Sequence, residues 1–457
     1  MDRLALREDW SCAKSVFSYQ KVAWAIRSFQ PYKSPGVDGI IPAMLQESVD
    51  LVVPKLLSLF RTSLATGVIP SAWKTSRVIF IPKPGRTSYD RAKDYRPISL
   101  TSFLLKTMEK VIDRHVRVNV LGNCPLHTNQ HAYQQGKSCE TALHNLVGII
   151  EQAIACKEIA LAVFLDIEGA FDNTSTGSIV SKLVSRNTEE TIVRWVNNML
   201  SDRRVQASLC GVIKEVKAQK GCPQGGVLSP SLWNLVVDDL LVTLNAQGLY
   251  AQGYADDIVI VIRGKYMDTC LGLMKRAMSI VEQWCITEGL SVNPTKTVMV
   301  PFTNQRNAEI ETAPKLFGGD ILVAKEFKYL GVRLDQKLTW NSHLKSIASR
   351  SQTALAMMGR AVGSTWGLNP NMVNWLYTRV VRPMMVYGSV VWWPKVAQKT
   401  AVKILSKVQR SACLAITGAM RGTSTAALEV VLSLPPLEVF TRGEARMAAY
   451  RLQCNGN

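Results

Sequence analysis

Several things are scarce in this 457-residue sequence. Histidine occurs five times, at positions too dispersed to form a metal cluster. None of the ten cysteines forms a Cys-x-x-Cys pair. That excludes zinc ribbons and knuckles and argues against a disulfide framework; the thiols read as mostly buried and reduced, in an intracellular protein. Apolar runs such as Ile159 to Leu165 or Met384 to Trp393 are too short to cross a bilayer. No basic-then-apolar leader opens the chain. Repeats of fixed period and low-complexity tracts are absent. Acidic residues are in deficit, with 35 Asp and Glu against 54 Lys and Arg, a net charge of +19. That excess points to a polyanionic partner, nucleic acid ahead of an anionic membrane. The apolar fraction of 47% is that of a globular protein with a sizeable core.

The chain centres on Gly253-Tyr254-Ala255-Asp256-Asp257-Ile258-Val259-Ile260-Val261-Ile262. It reads as a short strand, a tight turn and a second strand rich in β-branched residues. An Ala-Asp-Asp turn in isolation is a solvated hairpin. Two adjacent carboxylates between buried strands instead call for a cation, and a divalent metal with a third carboxylate would satisfy them. A candidate third is Asp166, at the end of the apolar strand Ile159–Leu165.

The N-terminal 33 residues are helical and amphipathic. A turn-rich loop, Lys33 to Gly39, leads to a helix from Pro42 to Gly67, which Pro54 is expected to kink or split. Lys74 to Pro82 is a strand running into a basic turn; with Arg96 beyond it, Lys83 forms a pair of cations suited to a phosphate chain or simply to solvent. A helix begins near Thr101, its face formed by Leu104, Leu105, Met108, Val111, Ile112 and His115. Gln134 to Glu140 lacks the first glycine of a P-loop. Asp172 is a candidate helix cap, Arg203 to Val216 a hairpin turning near Gly211, and Ser229 with Pro230 a helix start after the paired glycines Gly225 and Gly226. Phe327 to Leu334 reads as one strand, with a bulge or close approach at Gly331. Beyond it the chain is helical with basic outer faces.

Taken in order, Ser34-Pro35-Gly36-Val37-Asp38-Gly39, Ile81-Pro82-Lys83-Pro84-Gly85, Tyr95-Arg96-Pro97-Ile98-Ser99-Leu100, Phe164-Leu165-Asp166 through Asp172, Gly221-Cys222-Pro223-Gln224-Gly225-Gly226, Tyr254-Ala255-Asp256-Asp257, Lys296-Thr297 and Tyr329-Leu330-Gly331-Val332 resemble the reverse transcriptase of non-LTR, LINE-type retrotransposons, in particular the insect-type elements. The resemblance runs from about residue 20 to the end. It implies an α/β right-hand polymerase: an N-terminal helical extension over residues 1–65, fingers and palm with an antiparallel sheet over 66–335, and a helical thumb and C-terminal region over 336–457. It implies RNA-directed DNA synthesis by two-metal transfer from a dNTP to a primer 3′-hydroxyl, with two Mg²⁺ ions, or Mn²⁺ as an alternative.

By the same resemblance, Asp166, Asp256 and Asp257 are the catalytic, metal-binding triad, and the carbonyl of Ile167 is a further metal ligand. Lys83, Arg96, Gln224, Gly225 and Lys296 contact the dNTP, and Phe171 is the aromatic gate against a 2′-hydroxyl. Tyr329, Leu330 and Gly331 are the primer grip. Implied partners are template RNA, primer DNA and dNTPs, with no membrane. An endonuclease, separate or missing, is implied because neither endonuclease nor RNase H motifs are evident here; a fragment of a polyprotein is therefore the expectation. The implied location is nucleus and cytoplasm, as a ribonucleoprotein. Alternatives are a non-catalytic nucleic-acid-binding remnant and a maturase- or telomerase-type polymerase on the same palm.

Overall fold

The computed structural model describes residues 9–85, 88–209, 212–305, 310, 312–363 and 366–455. Its strands, in chain order, are β1 Thr75–Pro82, β2 Tyr95–Leu100, β3 Ile159–Asp166, β4 Arg203–Leu209, β5 Val212–Ala218, β6 Tyr250–Tyr254, β7 Asp257–Gly264, β8 Val298–Phe302, β9 Lys315–Leu316, β10 Gly319–Asp320, β11 Leu322–Val323, β12 Glu326–Tyr329 and β13 Val332–Asp335. The class is α/β, as expected. The chain divides into two compact units that alternate along the sequence. The first comprises residues 1–133, 166–247 and 279–293; the second comprises 134–165, 248–278 and 294–457.

The first unit carries a four-stranded sheet ordered β2-β1-β4-β5. β1 pairs antiparallel with β2, placing Ile81 opposite Arg96, and parallel with β4. Around the sheet lie helices sealed by aromatic and buried polar contacts. Phe60 sits between Phe17 and Trp73, with ring centroids 5.7 and 5.9 Å away. Fully buried Trp195 donates its indole N–H to Ser63 Oγ at 3.2 Å, so its one polar atom is satisfied. Arg186 pairs with Asp238 at 2.6 Å, both almost fully buried, and Asp238 also accepts the His127 amide. Lys182 pairs with Glu288 and Asp239. Isolated, such buried charges would cost several kcal/mol each.

In the second unit a five-stranded sheet runs β11-β8-β3-β7-β6. β3 is buried from Ile159 to Leu165 because both faces are covered, and its uninterrupted apolar sequence follows from that. One continuous core joins the Cys139–Ala155 helix, this sheet, the β12–β13 hairpin and the C-terminal helices through residues such as Leu146, Phe164, Tyr329, Trp392 and Val408. Tyr377 is fully buried and donates to Gln409 at 2.8 Å, whereas Trp375 is 60% exposed. Among the described residues no helix is long and apolar enough to cross a membrane.

Several local expectations change. The 42–67 helix does break, but at Ser48, and Pro54 lies inside the second piece, Val49–Thr66. As the sixth residue of that piece it has no N–H to donate to the Asp50 carbonyl four residues back, and the helix carries this local loss without breaking. The helix ends as expected at Gly67, in the left-handed region. Phe327 to Leu334 is not one strand: β12 and β13 pair around a two-residue turn. Asp172 caps nothing; Ser175 caps the Thr176–Ser185 helix. Nor does Ser229 cap its helix, since its hydroxyl donates to Pro223 O at 2.9 Å. The expected turn near Gly211 lies outside the described residues, although β4 and β5 pair as anticipated. Of the nine described cysteines, all free thiols, four are buried, fewer than the composition suggested.

Candidate active site

In the second unit, β6 and β7 form a hairpin with Tyr254 opposite Asp257, leaving Ala255-Asp256 as the turn. Ala255 has φ of 57°. Positive φ at the first central residue alone is the type II′ pattern, in which glycine is usual. An L-residue there costs about 1–2 kcal/mol, and strain of that kind collects at functional sites. The strand behind it supports the cost, since Ile258 to Val261 are buried while Asp256 and Asp257 face solvent.

A buried polar network fixes this hairpin from beneath. Gln252, on β6, is fully buried and donates to Ala142 O at 2.9 Å and to Tyr329 Oη at 3.1 Å. The Tyr250 hydroxyl donates to Gln252 Oε1 at 2.7 Å. Burial, with a smaller contribution from the Asp257 charge, pushes the Tyr329 hydroxyl far above its usual range, so it stays protonated. Tyr329 is therefore a core residue whose ring packs on Phe164, centroids 5.4 Å apart.

Leu330 and Gly331, both at positive φ (43° and 86°), form the β12–β13 turn in a type I′ arrangement. The close approach expected at Gly331 is present: a Cβ there would lie 3.0 Å from the Tyr387 ring, and the Tyr387 hydroxyl donates to Leu330 O at 2.9 Å. Lys296 is exposed in the segment leading into β8.

The other predicted residues belong to the first unit. Asp166 is the last residue of β3 and is half-buried. Just beyond it, Asn293 donates its amide to Asp166 O at 3.0 Å, and Glu168 donates to Ser291 O at 2.9 Å, flanking the Ile167–Val292 bridge. In an antiparallel pair flanked this way the middle residue's own carbonyl points away from its partner. The Ile167 carbonyl is thus turned from the 291–293 segment, as an additional oxygen ligand requires.

Phe171 is half-buried, its ring 6.0 Å from that of Trp233. Its carbonyl accepts the Cys222 amide at 2.6 Å. Gly221 (φ 85°) and Gly225 (φ 123°) are both required: Cβ atoms would lie 2.4 Å from Asp172 O and 2.7 Å from Ser99 O. Ser99 donates its amide to Gln224 O at 2.8 Å, binding the Gln224 loop to β2. Three residues along β2, Arg96 is exposed, and its guanidinium has no hydrogen-bonding or ionic partner among the described residues. The Lys83 ammonium donates to Lys93 O at 2.8 Å. Phe171, Gln224, Gly225 and the strand bearing Arg96 are therefore one constellation.

Several supporting residues escaped the sequence reading. Glu109 is completely buried and accepts the Val227 amide at 2.7 Å. It sits four residues after Leu105 and three before Ile112, on the buried face, and that spacing was the available signal. Arg203 donates to the carbonyls of Lys220 and Gly221. Burial raises the Asp172 carboxyl, an effect that Arg203 offsets in part.

Three carboxylates and a backbone carbonyl make an all-oxygen donor set, which suits a hard divalent ion such as Mg²⁺. Among the described residues no three His, Cys, Asp or Glu side chains already stand close enough to hold a metal ion. Carboxylate and carbonyl oxygens are the donor type such an ion takes; Asp256 and Asp257 are exposed, Asp166 is half-buried and Ile167 is buried.

Residues 81–334 match the family model described as reverse transcriptase (RNA-dependent DNA polymerase). The chain is 27% identical, over 95% of its length and 41% of the relative's, to a putative 115 kDa protein in type-1 retrotransposable element R1DM of Drosophila melanogaster. It is 26% identical, over 97% of its length and 48% of the relative's, to the RNA-directed DNA polymerase from mobile element jockey of the same species. The chain thus spans less than half the length of these relatives. Among solved structures it is similar to apo telomerase from Candida tropicalis, with 15% identity and a TM-score of 0.41, covering 68% of this chain and 63% of that one.

Proposed function

Because the chain belongs to the reverse transcriptase family, we propose that it is the RNA-directed DNA polymerase of a non-LTR retrotransposon, extending a primer 3′-hydroxyl with dNTPs on an RNA template. The observation that carries this reading is the pair of exposed carboxylates, Asp256 and Asp257, on a strained turn above fully buried strand residues. On this reading Asp166, Asp256, Asp257 and the Ile167 carbonyl hold two Mg²⁺ ions. When bound, they supply Lewis acidity to the attacking and leaving oxygens. Arg96 and Lys83 offset the charge of the triphosphate, Arg through paired donors. Gln224, on its clamped loop, orients the incoming nucleotide, and the Phe171 ring fills the space a 2′-hydroxyl would need. Lys296 is offered to the departing pyrophosphate. The Leu330-Gly331 turn bears on the primer end.

The corresponding division is an N-terminal helical extension over 1–65, fingers and palm over 66–335, and a thumb beyond. The excess of basic residues suits a template–primer duplex. Priming from a nicked chromosomal end, a nick supplied by an endonuclease, and a ribonucleoprotein in nucleus and cytoplasm complete the proposal.

The test is primer extension with an RNA template, DNA primer, dNTPs and Mg²⁺, alongside Asp256→Ala. Extension abolished in the variant, with RNA affinity nearly unchanged, is the expected result. If the wild-type chain binds RNA tightly but extends nothing, it acts as a binding remnant and the polymerase reading fails.

A further inference from the structure

The loop bearing Gln224 is held at several points, and two of the holding groups are charged side chains outside the motifs, Glu109 buried and Arg203 half-buried. At its start, Arg203 donates to Lys220 O and Gly221 O. Next, the Cys222 amide reaches Phe171 O; then Gln224 O accepts the Ser99 amide. At its end the fully buried Glu109 carboxylate accepts the Val227 amide at 2.7 Å, with a weaker attraction from the Leu228 amide. The second oxygen, Glu109 Oε1, is buried with no hydrogen-bond partner among the described residues. A buried carboxyl left half-satisfied is costly. A leucine at this place on the helix would fill the same core without that cost. What the acid adds is a fixed end to the loop.

We infer that Glu109 is a positioning residue for the nucleotide site: it pins the Val227–Leu228 end of the loop and so sets where Gln224 meets the incoming dNTP. The inference rests on the polymerase reading above. The groups around Glu109 explain how its charge is tuned. Lys106 and Asp113 come from its own helix, Arg203 from β4, and Asp172 and Cys222 from the segments packed with Arg203. Burial dominates and pushes the Glu109 carboxyl up to about 7, so that its charge, and its grip on the two amides, changes across the neutral range. Charged, it is the stronger acceptor.

Two variants test this, Glu109→Gln and Glu109→Leu, in primer extension from pH 6 to 8. For Glu109→Leu the expected result is a dNTP KM raised about tenfold, the loss of one charge-assisted hydrogen bond's worth of positioning, with primer KM little changed. Wild type should lower its dNTP KM as pH rises through 7, while Glu109→Gln, which keeps an acceptor but cannot ionise, shows a flat profile. Coincident pH profiles for wild type and Glu109→Gln would overturn the inference even if Glu109→Leu fails to fold, as would equal dNTP KM values for Glu109→Leu and wild type. Amide hydrogen exchange at Val227 and Leu228 separates this inference from the polymerase reading, because it needs no turnover. Faster exchange in Glu109→Gln than in wild type at pH 8 supports the pinning in a chain that does not extend primers; equal exchange refutes it.

Discussion

Glu109 also makes the stability of the first unit depend on pH, in a direction opposite to that of most carboxylates. Its carboxyl is raised from an ordinary 4.5 to about 7 because the charged form is stripped of water. The folded chain therefore holds this proton over a range in which the unfolded chain has lost it. Such a group contributes its full stability below about pH 4.5, and the contribution is lost as pH rises through 7. At about 1.36 kcal/mol per pKa unit the whole effect is about 3 kcal/mol, most of it falling between pH 5 and 8. Asp172 and Asp238 are raised by burial too, so the wild-type curve alone would not isolate Glu109. The difference between wild type and Glu109→Gln does. The amide is neutral at every pH and retains an oxygen for the Val227 N–H. Urea unfolding at pH 5, 6, 7 and 8 should show wild type losing about 2–3 kcal/mol relative to the variant across the series. Parallel curves, within about 0.5 kcal/mol, would mean that water or a cation reaches the carboxylate and that its burial has been misjudged.

Three further substitutions follow from the geometry. Phe171→Ala should admit ribonucleotides, read as a fall in dNTP-over-rNTP selectivity in primer extension; unchanged selectivity would remove the gate role. Gly331→Ala forces a side chain to φ of 86° and against the Tyr387 ring. It should cost about 2 kcal/mol in urea unfolding, and a cost near zero would contradict the close approach. Gln252→Leu strips partners from Tyr250 Oη, Tyr329 Oη and Ala142 O at once. A loss of about 2–3 kcal/mol is expected, and a neutral result would mean that the two tyrosines find other partners.

What the sequence made legible was local in origin. β3 could be read because its seven consecutive apolar residues are too short a run for a buried helix and fit a strand covered on both faces. The paired carboxylates and the Gln224 loop could be read because turn chemistry concentrates in adjacent residues. The break was expected at Pro54 and lies at Ser48 because proline is the stronger local signal, yet the Val49–Thr66 helix carries Pro54 inside it. The β12–β13 turn was hidden because Leu330 is a poor residue for positive φ; the contact of Tyr387 with Leu330 and Gly331, 57 positions away for the Tyr387–Leu330 bond, stabilises what local preference disfavours. Glu109 and Arg203 were missed for the same reason, since the Glu109–Val227 bond spans 118 positions and no local pattern announces it.

The alternation of the two units along the chain imposes an order on its synthesis. The Cys139–Ala155 helix and β3 leave the ribosome well before β7 and β8, the strands that flank β3 in the sheet. At typical translation rates the roughly 90–130 residues between β3 and these strands take on the order of 10 s. Throughout that interval β3 is a nascent apolar strand without its neighbours. The first unit is not complete either until residues 279–293 have emerged. No unit is complete before residue 293, and the second waits for residues 294–457, so the most aggregation-prone strand emerges long before its own unit is made.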